Sequence, residues 1–145
     1  MPRYDLILVG AGLANGLIAL RLRQQRPSLR ILLIDAESEP GAHHTWSFHA
    51  DDLTDTQHHW IAPLVVHHWP GYEVRFPQRN RTLNSGYFCV TAERFAQVIR
   101  DRFAPDLLLN TRVASIASRP ATLADDRLLE TDAVIDGRGF QPDGA

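Results

Sequence analysis

The sequence predicts an α/β fold built on a parallel sheet, and three observations near its amino terminus carry this prediction. Residues 6–9 and 31–34 are uninterrupted runs of Leu, Ile and Val, typical of strands buried on both faces. Between them, apolar residues recur at helical spacing from Leu13 to Leu22, and Pro27 marks the end of the helix. Glycines separate the first strand from this helix. Residues 5–35 are therefore predicted to form a βαβ unit.

Residues 36–90 are predicted to form a polar insertion after the second strand. The stretch is rich in histidine and tryptophan, and its apolar pieces, such as residues 64–66, are short. Around residues 73–84, apolar and charged residues alternate on either side of a turn at 77–81. This alternation predicts a two-stranded hairpin within the insertion.

Residues 91–130 are predicted to contain a helix followed by a small β-meander. Thr91 is a suitable N-cap for a helix that ends near Phe103. The buried stripe of this helix is expected to consist of four apolar residues at helical spacing, Phe95, Val98, Ile99 and Phe103. Three short β-prone segments come after the helix, at residues 107–109, 113–117 and 128–130.

Residues 133–139 are predicted to form the closing strand of the sheet and the turn after it. Residues 133–135 are fully apolar, and Asp136-Gly137-Arg138-Gly139 ends the strand. The outer edge of this strand would leave a row of backbone donors and acceptors unpaired. We therefore expect an incomplete domain, which a further segment completes or which is marginally stable alone.

Composition and charge exclude several classes of protein. A length of 145 residues suits one domain, and a net charge of -2 with dispersed arginines offers no electrostatic footprint for nucleic acid. The single cysteine, Cys89, rules out an intramolecular disulfide framework and suits a cytoplasmic location or a cytoplasm-facing membrane surface. We expect Cys89 to be a buried structural thiol. The sequence shows neither a secretory signal nor a run of the ~20 apolar residues that a membrane span needs, which leaves peripheral membrane contact open.

The glycine turn after the first strand predicts dinucleotide binding on a Rossmann-like sheet. Gly10 permits a tight turn, and Gly12 lets the backbone approach a pyrophosphate at the amino terminus of the helix. The third glycine of the usual motif is replaced by Asn15, with Gly16 one position later. Asp35, at the end of the second strand, is placed to accept hydrogen bonds from a ribose diol.

The choice between NAD and FAD rests on the part of the chain after this unit. Asp35 disfavours NADP, because its charge would repel the ribose phosphate, but it does not separate NAD from FAD. An NAD-binding domain normally continues into another βα unit, whereas here a long insertion intervenes before Gly137 and Gly139. A glycine at the end of such a strand lets the backbone pass beside FAD in many flavoproteins. An ordinary turn after a buried strand is the alternative.

Five stretches of the sequence, residues 5–20, 44–49, 60–65, 83–88 and 134–139, resemble the corresponding stretches of bacterial lycopene β-cyclases. The resemblance covers nearly the whole chain. The segments that contain tryptophan and histidine have no general reason to accompany dinucleotide binding, so they make it specific. Asn15, which departs from the general glycine motif, fits this family.

The resemblance implies an FAD-dependent enzyme that cyclises the ends of lycopene to β-rings, giving β-carotene without net redox change. It also implies reduced FAD, with NADPH or NADH as the electron source and lycopene as the lipophilic substrate. The family's acid catalysis delivers a proton to a terminal olefin, and anionic reduced flavin stabilises the resulting carbocation. The catalytic motif of the family falls in a carboxy-terminal portion for which this chain has no residues, so we assign no catalytic residue. We expect the chain to be inactive alone.

Nine residues are candidate contacts for FAD. They comprise the glycine turn and helix start, the ribose acceptor, one position in the meander and two glycines after the closing strand: Gly10, Gly12, Leu13, Ala14, Gly16, Asp35, Val113, Gly137 and Gly139.

Two alternatives stay open for the function. The first is another FAD-dependent enzyme, of the hydroxylase or prenyl reductase type. The second is a non-catalytic nucleotide-binding fragment.

Other groups of residues are better explained as structure than as sites. Three histidine pairs, at residues 43–44, 58–59 and 67–68, do not form a chelating face, because adjacent side chains diverge; we expect no metal. The three tryptophans, Trp46, Trp60 and Trp69, suit a core better than a tunnel for a polyene. The arginines of the predicted hairpin, Arg75, Arg79 and Arg81, suit a solvated face better than a phosphate or lipid site.

Overall fold

The computed structural model describes residues 3–41, 43–116 and 121–139. The chain divides into two compact units, of which His43–Val98 is one and the chain on either side of it is the other. In chain order the elements are β1 (Arg3–Val9), α1 (Leu13–Gln25), β2 (Ile31–Ile34), β3 (Trp46–His49), α2 (Asp55–Ile61), β4 (His67–Trp69), β5 (Tyr72–Phe76), β6 (Arg79–Leu83), β7 (Tyr87–Val90), α3 (Ala92–Phe103), β8 (Leu107–Leu108), β9 (Val113–Ile116), β10 (Ala121–Leu123) and β11 (Leu128–Asp136).

The first unit contains a six-stranded sheet in the order β8-β2-β1-β11-β10-β9. Strands β8, β2, β1 and β11 run parallel, whereas β11, β10 and β9 form an antiparallel meander. The predicted α/β fold with a parallel sheet and a small meander is confirmed, and the βαβ unit has the predicted strand at residues 31–34.

Strand β11 joins two segments that the sequence suggested were separate. Leu128 and Leu129 pair with β10, and the strand then continues beside β1 from Glu130 to Asp136 without a break. The polar residues between the two apolar segments concealed this continuity. Thr131 is nevertheless buried, and its hydroxyl donates to the carbonyl oxygen of Ala133 at 2.8 Å. Part of the predicted segment at 113–117 lies outside the described residues, because β9 is described only to Ile116.

Both faces of the parallel strands are covered, as their continuous apolar sequences require. Alternate residues of β1 and β2 face the meander, and they form one core cluster with it: Ile7, Val9, Leu32, Ile34, Val113, Ala121, Leu123 and Leu129. The intervening residues Leu8 and Leu33 are also fully buried. Helix α1, whose buried residues include Ala19 and Leu20, packs against β1.

The second unit contains a three-stranded antiparallel sheet in the order β3-β7-β4, and a separate hairpin of β5 and β6. The hairpin agrees with the alternation of apolar and charged residues, with its turn at Pro77 and Gln78. The three-stranded sheet was not predicted, because its strands are short and carry histidines and aromatic residues without a clear period of two. Cys89 is buried in β7, as expected.

Helix α3 has the predicted cap and the predicted buried stripe. The backbone N–H of Arg94 donates to the hydroxyl of Thr91 at 3.3 Å. All four residues of the expected stripe are buried: Phe95, Val98, Ile99 and Phe103. None of the helices in the described ranges combines the length and apolar character that crossing a bilayer requires.

Two leucines of the six-stranded sheet provide a test of this core. Replacing the fully buried Leu33 by Ala should lower the free energy of unfolding by about 2–5 kcal/mol, because the substitution leaves a cavity that solvent does not reach. Leu128 is 43% exposed, so Leu128→Ala should cost less than about 1 kcal/mol. Urea denaturation followed by circular dichroism measures both. Equal losses would contradict the described burial.

Candidate functional site

The turn between β1 and α1 requires glycine at position 10 for two reasons. The φ angle of Gly10 is +89°, a conformation that residues with a side chain rarely adopt. A Cβ there would also lie 3.0 Å from the carbonyl carbon and oxygen of Gly137. The backbone N–H of Gly10 donates to the carbonyl oxygen of Ile34 at 2.8 Å, which ties the turn to the end of β2.

Gly12 differs from Gly10, because the protein itself does not need a glycine there. Its φ of -77° suits any residue, and a Cβ added to it would meet nothing within 4 Å. Gly12 is the N-cap of α1, where no side chain caps the helix and the first turn holds no acidic residue. The first helical hydrogen bond runs from the N–H of Gly16 to the oxygen of Gly12, so the N–H groups of Leu13 and Ala14 precede the ladder. Open space thus adjoins a helix tip that is suited to an anion.

Asn15 fixes the geometry of this turn through its side-chain amide. The amide nitrogen Nδ2 donates to the carbonyl oxygens of Val9, at 3.0 Å, and Gly10, at 2.8 Å. The residue is 3% exposed, so these bonds satisfy carbonyl groups shielded from water. A Cβ on Gly137 would lie 2.5 Å from the same nitrogen, which explains the glycine at the end of β11. Sequence reasoning identified Asn15 as a departure from the glycine motif and missed this role.

Asp35 braces the turn with both of its carboxylate oxygens. Oδ2 accepts a hydrogen bond from the N–H of Ala11 at 2.5 Å, and Oδ1 accepts one from the N–H of Glu37 at 2.9 Å. Each carboxylate oxygen has a second lone pair, so the half-buried group can still accept from a sugar hydroxyl. The carboxylate therefore has a structural role in the turn, and its role as a ribose acceptor stays a prediction.

The segment after β2 returns to the glycine turn, which the sequence analysis did not foresee. Gly41 has a φ of +81° and its N–H donates to the carbonyl oxygen of Ala11 at 2.9 Å. Pro40, beside it, is fully buried. The Pro-Gly dipeptide is a recognisable turn, but nothing in the sequence indicates its partner.

An ion pair organises the segment immediately after β11. The guanidinium of Arg138 binds both carboxylate oxygens of Asp136 at 2.9 Å and donates to the carbonyl oxygen of Val113 at 3.1 Å. The hydrogen bonds from Arg138 hold the pKa of Asp136 below its usual value. Gly139 has a φ of +76°, and a Cβ there would meet nothing within 4 Å.

The structure brings some of the nine candidate residues together. Gly10 and Gly137 are in contact, with Asn15 against both. Gly16 is buried in α1, Leu13 is half-buried and Ala14 is exposed at its tip. The side chain of Val113 belongs to the core, and its carbonyl oxygen accepts a hydrogen bond from Arg138. Contact of these residues with a dinucleotide remains a prediction.

This geometry can bind a diphosphate and a sugar, and we assign it no acid–base or metal chemistry. The helix tip and the space beside Gly12 suit phosphate oxygens, and Asp35 suits a diol. Within the part of the chain that the structure describes, no three His, Cys, Asp or Glu residues lie close enough to hold a metal ion.

The contact between Asn15 and Gly137 can be tested by a double-mutant cycle. Gly137→Ala should destabilise the protein by several kcal/mol, because the new methyl group would overlap the amide of Asn15. In the background of Asn15→Ala the same substitution should cost about 1 kcal/mol or less, since the overlapping group is gone. Urea denaturation of the four proteins measures the coupling. Additive losses would contradict the contact.

The ion pair of Asp136 and Arg138 should appear in the pH dependence of stability. Because the pKa of Asp136 is lowered on folding, its contribution is present above the unfolded value of about 3.9 and is lost as the pH falls through the folded value. Arg138→Gln should raise this pKa, measured by carbon NMR of the carboxyl group. It should also cost less than about 1 kcal/mol at pH 6, since the pair is partly exposed. A difference between the two proteins that does not shrink below pH 4 would contradict this assignment.

Comparison with known proteins identifies the family and the fold of this chain. Residues 5–145 match the family described as lycopene cyclase protein. The lycopene beta-cyclase of Pantoea ananas is 61% identical over 99% of this chain and 38% of its own length; that of Pseudescherichia vulneris is 53% identical over 97% and 36%. The chain thus spans less than two fifths of these relatives. Among solved structures, the rebeccamycin biosynthetic enzyme RebC with reduced flavin has a TM-score of 0.69 at 12% identity, over 94% of this chain and 33% of that one. The fold is shared with RebC, and the sequence match shows that the chain belongs to the lycopene cyclase family.

Proposed function

We propose that this chain is the FAD-binding amino-terminal part of a lycopene β-cyclase. The single observation that carries the proposal is the open space in front of Gly12, at the uncapped tip of α1. A helix tip with free N–H groups binds phosphate. The packing of the protein does not require glycine at this position, and the missing side chain leaves room for the phosphate. Membership of the lycopene cyclase family and the fold shared with RebC support FAD as the dinucleotide.

Six of the nine candidate residues have a direct role in this proposal. The N–H groups of Leu13 and Ala14 donate to the pyrophosphate, which Gly12 allows to approach. Asp35 accepts from the hydroxyl groups of the adenosine ribose. Gly137 and Gly139 let the backbone after β11 pass beside the cofactor.

The proposed reaction is the acid-catalysed closure of β-rings at the ends of lycopene, without net redox change. When bound in its reduced form, with NADPH or NADH as the electron source, FAD would supply negative charge near the carbocation on the substrate. This chain holds the cofactor and supplies no proton donor that we assign. We therefore propose that the chain is inactive alone, and that the acid belongs to a part of the protein that corresponds to the remainder of its relatives.

We also propose a cytoplasmic protein with peripheral contact to a membrane. Lycopene is a hydrocarbon and partitions into the bilayer, so an enzyme that takes it up works beside that surface. This part of the proposal concerns the location of the substrate, and it can fail without affecting cofactor binding.

FAD binding provides the first test. The fluorescence of FAD should be quenched on titration with the purified protein, and Gly12→Val should abolish the effect, because the side chain would fill the open space. Unfolding of this variant in urea should show a loss of stability of no more than about 1 kcal/mol, because valine is a poorer N-cap than glycine but no protein atom lies within 4 Å of the added Cβ. Asp35→Asn should weaken FAD binding by at least roughly 10-fold, because a charge-assisted hydrogen bond to the ribose is lost and because the amide cannot accept from the N–H groups of both Ala11 and Glu37.

The control is Ala124→Val, which adds two carbon atoms to an exposed turn. Equal binding by wild type and Gly12→Val would overturn the site. Cyclase activity is tested separately, with β-carotene formed in lycopene-accumulating bacteria as the measurement. Formation of β-carotene by this chain alone would contradict its proposed inactivity.

A further inference from the structure

The hairpin of β5 and β6 carries an apolar strand beside a cationic strand on one of its faces. In an antiparallel pair, residues directly opposite each other project to the same side. The register places Tyr72 opposite Leu83, Val74 opposite Arg81 and Phe76 opposite Arg79. Aromatic and aliphatic side chains of β5 therefore lie next to two arginines of β6.

The apolar side chains of this face are more exposed to solvent near the tip of the hairpin than at its base. Tyr72, at the base, is half-buried and its ring centre lies 5.0 Å from that of His49 and 6.0 Å from that of Tyr87. Phe76, next to the turn, is 63% exposed, more than any other large apolar side chain in the described ranges. Packing at the base anchors the hairpin, whereas the aromatic ring at its tip faces solvent.

The two arginines on this face differ from the third arginine of the hairpin in their ion pairing. Arg75 projects to the opposite face, where its guanidinium binds Glu73 at 2.8 Å. Arg79 and Arg81 are exposed, and in the described part of the chain no carboxylate lies within ion-pair distance of either. Their positive charge is available to an external anion.

We propose that the tip of this hairpin docks on the surface of an anionic phospholipid bilayer. Phe76 enters the boundary between head groups and acyl chains, and Arg79 and Arg81 bind lipid phosphates. The charge of the two arginines complements that of the lipid, and the exposed aromatic ring needs an apolar phase as well as an anion. A soluble phosphate would satisfy only the arginines, and it would not cover Phe76.

The proposal rests on the proposed function in one respect, because the proposed lipophilic substrate gives the protein a reason to bind a bilayer. The residues that define the hairpin are separate from those of the candidate FAD site. FAD binding and membrane binding can therefore fail independently, and each can be measured in the same preparation.

Sedimentation with vesicles tests the contribution of each side chain. The full chain should bind vesicles of phosphatidylcholine that contain phosphatidylglycerol, and it should bind vesicles of phosphatidylcholine alone more weakly. Each arginine at an anionic surface is worth roughly fivefold in partitioning, so the double variant Arg79→Gln/Arg81→Gln should bind roughly 25-fold more weakly. Phe76→Ser should weaken binding by at least about fivefold. Binding should also fall between about 0.1 M and 1 M salt, as the Debye length shortens from about 10 Å to about 3 Å.

The matched control is Arg26→Gln/Arg102→Gln, which removes the same charge from exposed positions on α1's carboxy-terminal end and on α3. This variant should bind vesicles as the wild type does. An equal loss in both double variants would overturn the proposal, because it would show attraction by charge in general. Failure of the wild type to bind anionic vesicles while it still binds FAD would overturn the proposal and leave the proposed FAD binding intact.

A fluorescent label locates the contact without removing any of the proposed contacts. Cys89 is buried, so Gln78→Cys introduces an accessible thiol at the turn of the hairpin. A polarity-sensitive dye on this thiol should brighten and shift to the blue when anionic vesicles are added. The same dye at Ser28→Cys, an exposed position in the other unit, should not change. A bound protein with an unchanged signal at position 78 would overturn the assignment of the hairpin.

Discussion

The candidate site depends on the hydrogen bonds of one buried amide. Asn15 donates to the carbonyl groups of Val9 and Gly10, so the end of β1, the glycine turn and the first turn of α1 are held by a single side chain. The carbonyl group of Val9 also accepts from the N–H of Gly137 at 2.8 Å, so Asn15 is its second donor, and Asn15 supplies a side-chain donor to the carbonyl group of Gly10. The amide also lies against Gly137, and so it joins the turn to the end of β11. These residues assemble the shape of the site before any ligand is present.

The glycines around this amide serve two different purposes. The space available for a Cβ at each glycine shows which purpose it serves. Gly10 and Gly137 are demanded by the protein, because a Cβ at either would overlap backbone or the amide of Asn15. Gly12 and Gly139 meet no protein atom, so packing does not explain the lack of a side chain. Gly139 has a conformational reason, its φ of +76°, whereas Gly12 has none. Gly12 is therefore the position where space for a ligand is the best physical explanation of the residue.

Elements whose stability is encoded locally could be predicted from the sequence, and those defined by distant partners could not. The uninterrupted apolar runs at residues 6–9 and 31–34 indicate burial by their continuity, and the stripe that contains Phe95 and Phe103 indicates it by its helical spacing. The unit His43–Val98 holds a sheet whose strands lack such a pattern, because ring contacts such as Phe88 stacked on His68 provide its packing. Of the site, the glycines and Asp35 were found from a motif. The role of Asn15 and the bond between Arg138 and Val113 depend on atoms that only the fold brings together.

In the proposed function, the position of Asp35 would give the site a selectivity that arises from charge. Because the N–H groups of Ala11 and Glu37 hold both carboxylate oxygens, the negative charge is fixed at the edge of the turn and does not swing away from an incoming ligand. A pyrophosphate at the tip of α1 would be stabilised by the helix N–H groups. This stabilisation offsets the repulsion between the pyrophosphate and the carboxylate of Asp35, which lies on the far side of the ribose. A phosphate on that ribose would meet the carboxylate directly, without a helix tip to compensate for the repulsion. The bonds that brace the turn would thus also favour, in the proposed function, a dinucleotide with an unmodified adenosine ribose.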